Sequence, residues 1–99
     1  MGKKNGARLR LSECCDGEQA PAIASDILSH KGNDLVIDAS KVKSIDTPCI
    51  EVLLAAARLW SIDDVSLQYQ KPSKAFLQGL EILGIEQAKL ANTRSEHGH

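Results

Sequence analysis

Three consecutive apolar residues, Leu35-Val36-Ile37, stand between two carboxylates, Asp34 and Asp38. A half-buried strand alternates apolar and polar residues, so an unbroken apolar run with polar ends is the pattern of a central strand covered on both faces or nearly so. We place a strand over residues 34–39. Such a strand cannot stand alone, because it needs hydrogen-bonding neighbours and helices to cover it. The neighbours are visible on either side. Ala7-Arg8-Leu9-Arg10-Leu11 alternates strictly and reads as the first strand, and Val65, Leu67 and Tyr69 alternate with Ser66, Gln68 and Gln70 to give a third.

The segments between these strands switch to helical spacing. After an Asp16-Gly17 turn, Ala20, Ile23, Ala24, Ile27 and Leu28 share one helical face, which predicts a helix from Gln19 to His30 with Pro21 in its first turn and Gly32-Asn33 at its end. A second helix is expected over 48–60. Its stripe is Ile50, Leu53, Leu54, Ala57 and Trp60, widened by Val52, Ala56 and Leu59, so it should be the most buried of three. Phe76, Leu77, Leu80 and Leu83 define the last helix, which ends at Gly84 with Ile85 placed to fold back on Leu80 as in a Schellman cap. In the loop over 40–46, Val42 and Ile45 are expected to tuck beneath the sheet edge. Alternating strands and helices joined by right-handed crossovers make the three strands parallel neighbours in an α/β sandwich.

Composition removes several functions. Ninety-nine residues hold one domain, and 12 basic against 13 acidic residues leave a net charge of −1, without the positive field that nucleic-acid binding uses. The longest apolar stretch, 52–57, falls far short of the roughly 18 residues that cross a bilayer, and the start Met-Gly-Lys-Lys-Asn-Gly has no apolar signal core, so a cytoplasmic location is expected. We divide the chain into a disordered lead-in over 1–6, a packed domain over 7–90 and a polar flexible tail over 91–99. That tail carries His97 and His99, for which a loose end rather than a metal site is expected. The three cysteines, Cys14, Cys15 and Cys49, lack zinc spacing, and no disulfide, metal or cofactor is expected.

The most informative segment is the entrance to the second helix. Thr47-Pro48 reads as an N-cap followed by proline at the first helical position, where its missing N–H costs nothing. Cys49, at a helix N-terminus, invites comparison with a nucleophile of lowered pKa, but no histidine is delivered to it, and a packed or partner-facing thiol is the expectation. Asp38 and Asp46 fit strand-end solvation and helix-entrance electrostatics rather than an acid pair, and no glycine-rich phosphate loop occurs. An enzyme is not expected.

Four pieces of the sequence, in order, carry a family resemblance: Leu35-Val36-Ile37-Asp38-Ala39-Ser40-Lys41-Val42, Ile45-Asp46-Thr47, Val52-Leu53-Leu54-Ala55-Ala56-Ala57, and Pro72-Ser73-Lys74-Ala75-Phe76 with Leu80-Glu81-Ile82-Leu83-Gly84-Ile85. Together, over residues 7–85, they resemble the STAS domain of anti-sigma-factor antagonists. The resemblance implies a STAS-type sandwich, a central mostly parallel sheet with three or four helices packed on it, working as a non-enzymatic regulatory module. Antagonists of this type are phosphorylated on a hydroxyl residue just before a glycine at the helix entrance. Here the aligned residues are Asp46-Thr47-Pro48-Cys49, so proline occupies the acceptor position and cysteine the glycine. Thr47 and Ser44 remain as alternative acceptors, Thr47 also being readable as a plain cap. The implied partner surface is Ser44, Asp46, Thr47 and Pro48 with the flank of the following helix at Cys49, Glu51 and Arg58. The chain is most similar to the small STAS proteins of alpha-proteobacterial chemotaxis operons, which implies binding to a chemotaxis histidine kinase and modulation of phosphoryl flow. The alternatives are the STAS subunit that docks on the ATPase of a lipid-transport ABC system, and a classical anti-sigma-factor antagonist.

Overall fold

The computed structural model describes residues 6–92. Its elements follow in the order β1 (Ala7–Arg10), β2 (Cys14–Cys15), α1 (Ala20–Leu28), β3 (Leu35–Asp38), β4 (Ser44–Ile45), α2 (Thr47–Ile62), β5 (Leu67–Gln70), α3 (Lys74–Ile82) and a final 3-10 turn, Gln87–Leu90. β1, β3 and β5 form one parallel sheet in the order β1-β3-β5, with Leu9 level with Ile37 and Ile37 level with Tyr69. The Leu35–Ile37 run is its central strand, as expected.

The expected cover on both faces of that strand is corrected by the structure. Ala7, Leu9, Leu35, Ile37, Leu67 and Tyr69 all point into a single core beneath the helices. On the opposite face the cross-strand rows are Arg8-Val36-Gln68 and Arg10-Asp38-Gln70, and no helix lies over them among the described residues. The Arg8 guanidinium donates to Gln70 Oε1 across the central strand, and Arg10 Nε lies 3.8 Å from Asp38. Long polar side chains thereby drape Val36, which is half-buried without a second helical layer. An apolar run of three needs only one such sheltered residue to mimic a fully covered strand.

The helices arise where the spacing placed them, with shifted ends. α1 stops at Leu28, two residues before His30, because Ser29 turns the chain toward Gly32, whose φ is +88°. α2 starts one residue earlier and runs two further than predicted, and it is the most buried helix, with Cys49, Ile50, Leu53, Ala56, Ala57 and Trp60 in the core. Trp60 is fully buried and its indole N–H donates to the Asn33 carbonyl at 2.8 Å, pinning α2 to the α1–β3 turn. At α3, Ser73 Oγ accepts from the Phe76 N–H at 3.0 Å and donates to the Val42 carbonyl at 2.6 Å. The other end closes as a Schellman motif: Gly84 has φ +70°, the Ile85 N–H reaches the Leu80 carbonyl at 2.9 Å and the Gly84 N–H reaches Glu81 at 3.0 Å.

Two features go beyond the sequence reading. β2 and β4 pair in parallel as a second, two-stranded sheet, with Cys15 level with Ile45, where the sequence reading places no strand. Val42 is buried and Ile45 packs on the core, as expected of them. The packed domain also extends past residue 90. Asn92 bridges Leu67 in antiparallel fashion, its N–H donating to the Leu67 carbonyl at 2.8 Å and its side-chain amide to Val65 at 2.6 Å. Asn92, expected in the tail, is thus tied to β5, while residues 1–5 and 93–99, with all of the expected lead-in but Gly6 and with the two terminal histidines, lie outside the described residues.

Candidate functional site

β4 aims the chain at the start of α2 by hydrogen bonds to β2, among them the Asp46 N–H to the Cys15 carbonyl at 3.1 Å. Asp46 is then the N-cap, with extended backbone at φ −124° and ψ 179°, and no side-chain capping bond. Thr47, expected as the cap, is instead the first helical residue and Pro48 the second. The reason is that the Cys49 and Ile50 N–H groups both turn back onto the Asp46 carbonyl, each at 3.1 Å, so helical hydrogen bonding begins one residue earlier. Thr47, Pro48, Asp46 and Ser44 are all exposed, as are Glu51 and Arg58 farther along α2.

Cys49 is corrected. It is 1% exposed rather than on the outer flank, and its thiol donates to the Asp16 carbonyl at 3.2 Å. Its spacing to Leu53, Ala56 and Trp60 is the inward stripe, which the sequence contained. Burial pushes the thiol up to about 12, and the neighbouring Cys15, Asp46 and Asp16 push the same way. Burial keeps the thiol protonated, with the acidic neighbours adding to it, so the thiolate that nucleophilic chemistry needs is unpopulated near neutral pH.

The same residues bear on phosphate. A helix entrance stabilises a dianion through free N–H groups, yet Pro48 has none, and those of Cys49 and Ile50 are engaged by Asp46. Only the Thr47 amide is left in the first turn, beside the exposed Asp46 carboxylate, whose charge opposes a phosphate. Pro48 thus removes both a hydroxyl and a donor.

What the sequence reading missed is the wall facing Thr47. Ile45, Asp46 and Thr47 form one side of a groove of 210 Å³, and Gly79, Ile82 and Leu83 of α3 form the other. Ile82 is 82% exposed and Leu83 43%, the first being the most exposed large apolar side chain described. α3 comes this close because Gly79 has no side chain: a Cβ there would stand 2.5 Å from Ile45 Cγ2. The signal was present as an excess of apolar residues, since Ile82 falls off the Phe76-Leu80 stripe that α3 buries. Arg58 is not part of this groove. Eleven residues along α2, about 16 Å away, it lines a different one with Leu54, Ala57, Ala88 and Lys89. Among the described residues no three His, Cys, Asp or Glu side chains gather as a metal site requires.

A family model described as "Mlab, STAS domain" matches residues 2–92. The chain belongs to the STAS domain family. No curated protein matches it. The three helices and parallel sheet are those of a STAS fold, and STAS domains are in general regulatory modules that bind protein partners rather than enzymes. No helix of this STAS domain, among the described residues, is long and apolar enough to cross a membrane.

Proposed function

We propose that this STAS domain is a constitutive docking module whose partner seats on the groove between the α2 entrance and the end of α3. The observation that carries the reading is the juxtaposition of Ile82 and Leu83 with Asp46 and Thr47. Exposed apolar side chains rimmed by a carboxylate and a hydroxyl supply a small anchor with a polar edge, the composition of a protein-binding patch. Docking of this kind needs no phosphoryl group. The helix entrance supports that feature, since Pro48 supplies neither acceptor nor amide. Phosphorylation of Thr47 or Ser44 would place a dianion beside Asp46 and weaken docking instead.

For the partner, the sequence resemblance favours a chemotaxis histidine kinase, with binding modulating phosphoryl flow. A second reading is favoured by a specific finding, the name Mlab in the description of the matching family, and takes the ATPase of a lipid-transport ABC system as the partner. Calorimetry of the purified domain against each candidate separates them. Binding to the kinase that is lost in Ile82→Asp supports the first reading. Binding to the ATPase with the same sensitivity supports the second, and affinity unaffected by both Ile82→Asp and Thr47→Glu removes the groove from the account.

A further inference from the structure

The outward face of α2 carries Glu51, Ala55, Arg58 and Ile62, all exposed and spaced so that they share one stripe. Beside this stripe, Val52 and Leu59 meet Ala24 and Leu28 of α1 across a shallow apolar groove of 150 Å³. Leu28 in that groove is 52% exposed, and Ile62, on the stripe at the end of α2, is 77% exposed. Glu51 and Arg58 lie on the exposed stripe itself, seven residues apart. They stand about 10.5 Å apart along the axis, too far to pair with each other, and neither joins an ion pair among the described residues.

These features are self-complementary. When a second copy of α2 lies antiparallel, with the two-fold axis level with the Leu54–Ala55 bond, Glu51 of each chain falls opposite Arg58 of the other, twice over. The small Ala55 stands at the crossing, where it admits close approach, and Ile62 falls opposite Thr47 of the second copy. A parallel arrangement opposes like charges instead. We infer that this STAS domain self-associates as a two-fold dimer through antiparallel α2–α2 packing, with the α1–α2 groove as its apolar flank and reciprocal Glu51–Arg58 pairs fixing the register.

Sedimentation velocity over a range of loading concentrations, with native mass spectrometry, tests this. The wild-type domain shows a concentration-dependent dimer. Glu51→Arg and Arg58→Glu, both at exposed positions, keep the wild-type circular dichroism and each raise the dimer dissociation constant roughly tenfold or more by opposing like charges. Mixed in equal amounts, the two variants form a heterodimer, and the double swap in one chain restores the homodimer. A wild-type chain that stays monomeric at every concentration overturns the inference. So does a dimer indifferent to both single swaps, or a mixture that does not pair.

Discussion

Cys14, Cys15 and Cys49 lie around one corner of the molecule, where β2 meets the first turn of α2, and burial divides them. Cys14 is exposed, while Cys15 and Cys49 are 0% and 1% exposed and spend their thiol protons on the Ser12 and Asp16 carbonyls. An aromatic disulfide reagent near neutral pH is therefore expected to label one thiol rapidly in the native domain and all three after denaturation. Rapid labelling of Cys49 would show that the α2 entrance opens readily. The raised thiol pKa has a consequence of definite sign. Cys49 titrates near 8.5 in the unfolded chain and about 12 in the folded one, so the folded state holds its proton more tightly. Stability is complete below about pH 8.5 and declines as pH rises toward 12, with Cys15 and Tyr69 acting in the same direction because burial raises both. Cys49→Ala should flatten that alkaline decline in urea midpoints measured from pH 7 to 10. Tyr69 offers a second test. Its ring stacks on Phe76 with centroids 5.8 Å apart, but its buried hydroxyl finds no hydrogen-bond partner among the described residues. Tyr69→Phe keeps the ring and discards the unpaired group, so it should leave stability unchanged or raise it by about 1 kcal/mol, and a loss of more than about 1 kcal/mol would reveal a partner for that hydroxyl.

At the level of elements, the contact that makes the proposed docking groove is α3 lying on β4. Gly79 permits it, and the obstacle to any larger residue is Ile45 Cγ2. Gly79→Ala should therefore cost about 1–3 kcal/mol in chemical denaturation, the range for overpacking, despite alanine's better helix propensity. Because Ile45→Ala removes the obstructing methyl, the double variant should be less destabilised than the sum of the two single changes, and strict additivity would contradict the close approach. This contact also shows where sequence reasoning ends. Strand β3, the helical stripes and the Gly84 cap were legible because each depends on residues near in sequence: an apolar run, a 3.6-residue period, a glycine with positive φ. The β2–β4 pairing depends on two dipeptides about 30 residues apart, and neither Cys14-Cys15 nor Ser44-Ile45 is long enough to show a period. Thr47 reads as a cap for a related reason, since choosing between Asp46 and Thr47 depends on which carbonyl the Cys49 and Ile50 amides turn to. The candidate site was half legible. Its α2 side followed from the motif, and its α3 side required knowing that residue 79 meets residue 45.

A three-stranded parallel sheet leaves two edges, β1 and β5, and the two are protected in different ways. At the β1 edge the exposed side chains are Arg8 and Arg10, which oppose strand addition by charge. The β5 edge carries no cation, since its exposed and half-exposed residues are Gln68, Tyr69 and Gln70, and it is closed at Leu67 by Asn92 instead. Leu90, fully buried in the preceding turn, anchors that closing segment to the core. The bridge and the side-chain bond can be separated. Asn92→Ala removes only the donor to the Val65 carbonyl and should cost about 1 kcal/mol, the net worth of one such bond. Asn92→Pro also removes the N–H that reaches the Leu67 carbonyl, and should cost about 2–3 kcal/mol, read from urea midpoints. If both variants fall within about 0.5 kcal/mol of the parent, the segment after Leu90 is not part of the cooperative unit. If the proline variant alone is destabilised and also gains a tendency to associate that Glu51→Arg does not suppress, the β5 edge itself has become the adhesive surface.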